Sequence, residues 1–176
     1  MFIRNSLVFI LSLISFSVAA KEISPNLGKV ASIQLIQQWN RDVFPDGEGL
    51  PIGRGTAIIG KAIYQQHCIA CHGFEGMGNS AEELARADHT LTDTPPDKTI
   101  GNYWPYASTL FDFISRAMPI NNPGSLSADE VYAVTAYLLY LNGIIEQTSI
   151  INQKTLVAIK MPNAKGMVNI YNKEAR

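Results

Sequence analysis

The chain contains two cysteines, three positions apart, with a histidine directly after the second: Cys68-Ile69-Ala70-Cys71-His72. Two thiols on a tight turn can add to the two vinyl groups along one porphyrin edge, and the adjacent imidazole can then swing under the ring and bind iron axially. The pattern predicts one covalently attached haem c, held by Cys68 and Cys71, with His72 as the proximal ligand. Other uses of a Cys-x-x-Cys pair fit less well. A thioredoxin-like redox motif needs a βαβ setting that the flanks lack, and zinc needs two further ligands for which only His67 and His89 remain. A small disulfide is the third alternative.

The sixth position on iron decides what such a centre does. A thioether trans to histidine raises the reduction potential and suits electron transfer, whereas an open position permits ligand chemistry. The candidates are Met77, Met118, Met161 and Met167, with His89 as an outsider. Met77 is too close to His72 to reach the opposite face. Met118 lies between two predicted helices and Pro119 prevents the first from continuing, so Met118 is the expected ligand and Met161 its main rival. Tyr103, Trp104 and Tyr106, with Leu110, Phe111 and Ile114 beyond them, are placed around the haem. Arg116 either neutralises a propionate or stays in solvent.

These residues need elements to hold them. A helical pattern starts near Thr56 and carries Ile59, Gly60, Ile63, Tyr64 and His67 at three and four residue spacing into the cysteine turn. After His72 the glycines at 73, 76 and 78 and Asn79 preclude regular structure, and Ser80-Ala81-Glu82-Glu83 reads as a capping box that starts a short helix. Residues 88 to 103 read as loop. Pro105 then stands at a first helical position, with Leu110, Phe111, Ile114 and Ala117 on one face. Residues 127 to 142 form the strongest helix: Ser127 and Glu130 make a capping box, Val131, Val134, Leu138 and Leu141 share a face, and Asn142-Gly143 supplies a left-handed stop. No stretch alternates with period two, so the fold class is all-α.

The rest of the chain bounds the possibilities. Its 176 residues are 47% hydrophobic and 16% charged, with a formal net charge of -1 and no internal repeat, as expected of one globular domain with a leader and tails. Neither nucleic acid nor an anionic membrane surface is an expected partner of so balanced a chain. Arg4, the apolar run from Leu7 to Val18 and Ala19-Ala20 before Lys21 form a secretory signal, with cleavage expected after Ala20. The run is too short to span a bilayer, Ser12, Ser15 and Ser17 interrupt it, and nothing later in the sequence is long and apolar enough to do so. The expected plan is a signal peptide over 1–20, an N-terminal arm over 21–54 anchored by Trp39, Val43 and Phe44, a haem domain over 55–143, and a C-terminal arm over 144–176 that wraps back. The mature protein is expected in the periplasm.

The haem domain resembles the class I cytochromes c. Gly60 and Tyr64 stand eight and four residues before Cys68, and Val134 and Tyr137 lie in the last long helix. The resemblance implies that first and last helices cross at Gly60, with the tyrosines packed beside the crossing. A narrower resemblance covers most of the mature chain. Trp39 with Asp42-Val43, Pro45-Asp46-Gly47-Glu48-Gly49-Leu50-Pro51, Trp104-Pro105-Tyr106-Ala107, Arg116-Ala117-Met118-Pro119, Tyr137-Leu138-Leu139 with Leu141-Asn142-Gly143, and Met161-Pro162-Asn163 are similar to the cytochrome subunit of Sox-type sulfur (sulfane or sulfite) dehydrogenases.

That resemblance implies a partner subunit carrying a molybdenum cofactor, electrons passed one at a time to a downstream acceptor, Met118 as the axial ligand, and two arms that serve as docking surface. The best-studied type of that family has a second haem domain, whereas this chain has a single Cys-x-x-Cys-His. The alternatives are a free electron shuttle or the cytochrome subunit of another dehydrogenase, and a thiol-disulfide oxidoreductase using Cys68 and Cys71. No paired carboxylates and no nucleophile with a base stand out, so the chain is not expected to be catalytic alone.

Overall fold

A computed structural model describes residues 27–167, and the expected signal sequence lies outside the described residues. Its elements are α1 (Ile33–Trp39), β1 (Arg54–Gly55), α2 (Ala57–His67), α3 (Ile69–His72), a 3-10 turn at Phe74–Gly76, α4 (Ile100–Tyr103), α5 (Ala107–Ala117), α6 (Ala128–Leu141), β2 (Ile151–Asn152) and α7 (Gln153–Val157). The described residues fall into two units, divided after Ile36. In the first, Ser32 Oγ accepts the Leu35 N–H at 3.2 Å where α1 begins. No helix among the described residues is long and apolar enough to cross a membrane.

The centre is α6, and its start is written locally. Ser127 Oγ accepts the Glu130 N–H at 3.4 Å while the Glu130 carboxylate accepts the Ser127 N–H at 2.8 Å, so two otherwise unpaired donors are satisfied reciprocally. Asn142 caps the other end and Gly143 follows at φ 68°. Every residue from Val131 to Leu139 is buried, a wider face than the stripe the spacing suggests. The reason is tertiary: α2, α5 and the strand pair all pack on this one helix.

Helix α2 crosses α6 at Gly60, where a Cβ would overlap the Ala133 carbonyl, so only glycine permits the approach. Tyr64 and Tyr137 pack beside the crossing with ring centroids 5.3 Å apart. The buried stripe of α2 is Ala57, Gly60 and Tyr64. Ile59, expected to face inward, is 57% exposed, because the crossing is built on small residues and turns the neighbouring isoleucines outward.

Several expected boundaries move. No helix forms at Ser80–Glu83, and one turn of helix, α4, forms inside the stretch expected as loop. Helix α5 starts at Ala107 with Tyr106 as its N-cap, two residues beyond the position Pro105 suggested. Trp104 is extended, as a residue before proline prefers, at φ -72° and ψ 124°, and Tyr106 is extended too.

The fold is mostly helical, with one strand pairing that period-two patterning missed: antiparallel β1 and β2 match Arg54 with Asn152 and Gly55 with Ile151. Two residues per strand are too few to show an alternation. The pairing joins the segment before α2 to the tail after α6.

Both flanking segments contribute to the core. Val43 and Leu50 before β1, and Ile151, Leu156 and Met161 after α6, are buried in it. Trp39 and Phe44, expected as anchors, are exposed. Polar side chains secure the earlier segment: Ser108 Oγ donates to the Pro45 carbonyl at 3.0 Å, Tyr132 Oη to that of Pro51 at 2.9 Å, and Gln153 Nε2 to that of Leu50 at 2.7 Å.

Candidate haem site

Helix α2 delivers the chain into a turn whose carbonyls are all engaged. The Cys68 N–H donates to Tyr64, and the Cys68 carbonyl accepts from Cys71 at 3.1 Å and His72 at 2.9 Å, which folds the pentapeptide into the single turn α3. Gly73 ends it at φ 73°, where a Cβ would overlap the Gly78 carbonyl. Tyr64 Oη donates to the Gly73 carbonyl at 2.9 Å, and burial raises its pKa well above the ordinary phenol range.

The loop that follows wraps back over this turn. Gly78 N–H donates to the His72 carbonyl at 2.8 Å, Ala81 N–H to that of Cys71 at 2.9 Å, and Asn79 Nδ2 to that of Ala70 at 3.0 Å. Leu84 and Ala85 both donate to Gly76, and the Glu82 carbonyl faces the His72 ring. The Leu84 and Ala85 N–H groups and the Glu82 carbonyl are groups that a helix starting at Ser80 would pair internally, so the capping-box sequence is overridden by demand from the turn that precedes it. Asn142 closes the arrangement: its Nδ2 donates to the Leu84 carbonyl at 3.0 Å and its Oδ1 accepts the Gly101 N–H at 3.0 Å.

The imidazole geometry tests whether the site suits haem iron. His72 Nδ1 lies 2.9 Å from the Glu82 carbonyl oxygen. A carbonyl can only accept, so Nδ1 carries the proton and Nε2 presents its lone pair, the tautomer and orientation a metal ligand needs. Both cysteines are free, Cys68 half-buried and Cys71 exposed, so both sulfurs are available for thioether bonds. The residues fit the group.

The same facts count against thiol exchange. Burial, and then the neighbouring Cys71, push the Cys68 thiol up to about 11, so it is protonated at neutral pH and a poor attacking group. His89, which a zinc site would recruit, has its Nδ1 3.4 Å from Asp97 Oδ1.

The methionines separate clearly. Met161 is 3% exposed within the protein core, and Met77 and Met167 are exposed. Met118 ends α5 with its N–H on the Ile114 carbonyl at 3.1 Å and an extended backbone at φ -118° and ψ 150°, half-buried against the core. Among the aromatic candidates, Trp104 is half-buried with its ring edge-on to Phe113 at 5.8 Å. Tyr103 and Tyr106 keep more surface, and Asn163 Nδ2 holds the Tyr103 carbonyl at 2.7 Å.

Leu110, Phe111 and Ile114 have their surface spent on the protein core instead, Phe111 with its ring 4.5 Å from that of Tyr132. Phe113, on the other side of α5, was not singled out from the sequence and remains 45% exposed. Arg116 is neither a free propionate partner nor purely solvated: it pairs with Asp112, one turn earlier, and with Asp42 at 3.2 Å. Nothing in the spacing pointed to Asp112, whose role depends on chain 69 residues away.

Comparison with known proteins agrees with this geometry. The cytochrome c family model matches residues 57–142. A chain of the sulfane dehydrogenase SoxCD from Paracoccus pantotrophus is 39% identical and superimposes with a TM-score of 0.77, over 85% of this chain and 75% of that one. The thiosulfate dehydrogenase of Allochromatium vinosum is 29% identical over 97 residues, which are 53% of this chain and span only 36% of that protein. The chain belongs to the class I c-type cytochromes, which hold haem c and carry electrons, and among them it resembles the cytochrome subunit of Sox-type sulfur dehydrogenases.

Proposed function

We propose that the chain holds one haem c, with thioether bonds from Cys68 and Cys71 and axial ligation by His72 Nε2 and Met118 Sδ, and that it is the electron-carrying subunit of a periplasmic molybdenum-cofactor dehydrogenase acting on sulfane sulfur or sulfite. A haem with histidine and thioether ligands supplies one-electron exchange at a raised potential. The protein's own residues do the positioning. The Glu82 carbonyl orients His72, α5 brings Met118 to the end of a helix, and Tyr103 and Trp104 border the ring. Met118 is favoured over Met161 because the Met161 side chain is committed to the core.

The observation that carries the partner reading is the extent of the likeness to SoxCD. The family model stops at residues 57 and 142, whereas the likeness to that sulfane dehydrogenase covers 85% of this chain, which takes in sequence beyond a minimal haem domain. A carrier that only shuttles needs a small transient contact, below about 1,200 Å² in total, and has little use for such additions.

The test is to isolate the protein anaerobically and gently from native periplasm, add sulfite, and follow the reduced-haem absorption band. Rapid reduction with a copurifying molybdenum subunit is expected. A protein that runs alone and responds to dithionite but not to sulfite is a free shuttle, and the partner reading fails. Met118→Ala and Met161→Ala decide the ligand: only the first should lose the long-wavelength band of a thioether-ligated ferric haem.

A further inference from the structure

The end of α5 that carries Met118 is gripped from a distance. Asp112, 7% exposed, accepts the Val43 N–H at 2.9 Å and Arg116 Nε at 3.0 Å, and its other oxygen pairs with a terminal nitrogen of Arg116. Arg116 also lies 3.2 Å from Asp42. One residue earlier, the Arg41 guanidinium approaches the Ser115 carbonyl at 3.5 Å, and it lies against Gly124, where a Cβ would stand 3.3 Å from both of its terminal nitrogens. Residues 41 to 43 therefore touch the chain on both sides of Met118, before it at Asp112, Ser115 and Arg116 and after it at Gly124. Between those points the loop has little of its own to hold it. Asn122 N–H donates to the Pro119 carbonyl at 2.9 Å, and Pro119 has no N–H to give.

We propose that Arg41–Asp42–Val43 is a strap on the methionine loop, acting through Asp112 and Arg116, and that it sets how readily Met118 leaves the iron. This rests on Met118 being the axial ligand. A buried carboxylate with three charge-assisted bonds loses far more when one partner is removed than a surface pair does, because the remaining charge stays desolvated. Loosening the strap raises the fraction of molecules with Met118 displaced. An added ligand that competes for the sixth position binds that open fraction, so its apparent affinity rises in proportion. Asp112, Arg116 and Asp42 are thus positioning residues, since they act through Met118.

The experiment titrates the ferric holo-cytochrome with imidazole, in parallel with its reduction potential. Asp112→Asn and Arg116→Ala should bind imidazole about tenfold more tightly than wild type and show a lower potential, with Arg116→Lys between them because it keeps the charge but not the fork. Ser127→Ala, which weakens the N-cap of α6 just beyond the methionine loop without removing any strap contact, should leave imidazole affinity unchanged. If Asp112→Asn does not fold, Asp42→Asn and Arg41→Ala remove exposed members of the same strap and should shift affinity in the same direction. Strap variants with normal haem content and imidazole affinity within about twofold of wild type overturn the proposal. Met118→Ala separates the two readings. If it alters both band and affinity while the strap variants alter neither, the strap alone fails. If it alters neither, the ligand assignment fails and the strap falls with it.

Discussion

The histidine side and the methionine side of the site are held by different means. Around His72 the grip is short-range and every acceptor is a backbone carbonyl: those of residues 70 to 73 accept from the Gly78 and Ala81 N–H groups and from the Tyr64 and Asn79 side chains, all within ten residues. Around Met118 it is long-range and made of side chains: Asp112 to Val43, Arg116 to Asp42 and Arg41 to Ser115 reach 69 to 74 residues along the chain. Backbone bonds survive most substitutions that keep the backbone conformation, whereas ion pairs depend on the individual residues. The difference suits the proposed ligation, in which His72 is the permanent and Met118 the exchangeable ligand, and it implies that the two sides fail under different substitutions.

The largest expected effect breaks the histidine side through its backbone. Gly73→Ala forces a side chain onto a positive φ and into the Gly78 carbonyl, and should cost about 3 kcal/mol or more in denaturant unfolding. A silent Gly73→Ala would mean that the loop is not rigid and that the contrast is false. Next, Leu156→Ala opens a cavity in α7, which packs on α5, and should cost about 3 kcal/mol. Amide exchange should rise first in α5 and around Met118, with the His72 loop less affected.

Asn142→Ala removes the main long-range side chain serving the histidine side. It leaves the Leu84 carbonyl and Gly101 N–H without partners and should cost about 2 kcal/mol, with the loss concentrated between residues 76 and 85. The smallest effect is a control at the start of α6, which takes part in neither grip. Ser127→Ala removes a helix cap for about 1 kcal/mol at neutral pH. Hydrogen bonds from the Ser127 hydroxyl and N–H hold the Glu130 carboxyl below its usual value of 4.5, so this stabilisation is present above that pH and is lost as pH falls through the lowered folded-state value. The gap in thermal midpoint between wild type and Ser127→Ala should therefore narrow in acid. A gap that stayed constant down to pH 3 would show that the carboxylate takes no part.

Much of this was legible in the residues themselves, because the relevant physics acts over a few positions. The Cys68–His72 pentapeptide states its chemistry by spacing alone. The α6 capping box, the Gly143 stop and the end of α5 at Met118 follow from side chains reaching their own backbone, or from a proline that cannot donate. What local patterning could not supply is the competition between such signals and partners outside the pattern. Ser80–Glu83 carries a helix-start sequence, yet its groups are taken by Cys71 and His72, and those of Leu84 and Ala85 by Gly76. Ile59 fits an inward stripe, yet the close approach at Gly60 turns it outward.

Residue identity and spacing thus determined by themselves the cofactor chemistry and the cap-bounded helices, while the crossing of α2 and α6 at Gly60 was implied only by the family resemblance. Only the tertiary structure decided that the flanking segments enter the core, that Met161 is spent on packing, and that Asp112 and Arg116 join residues 41 to 43 to the methionine loop. These last depend on groups many tens of residues apart meeting in space, and no periodicity within either segment records that meeting.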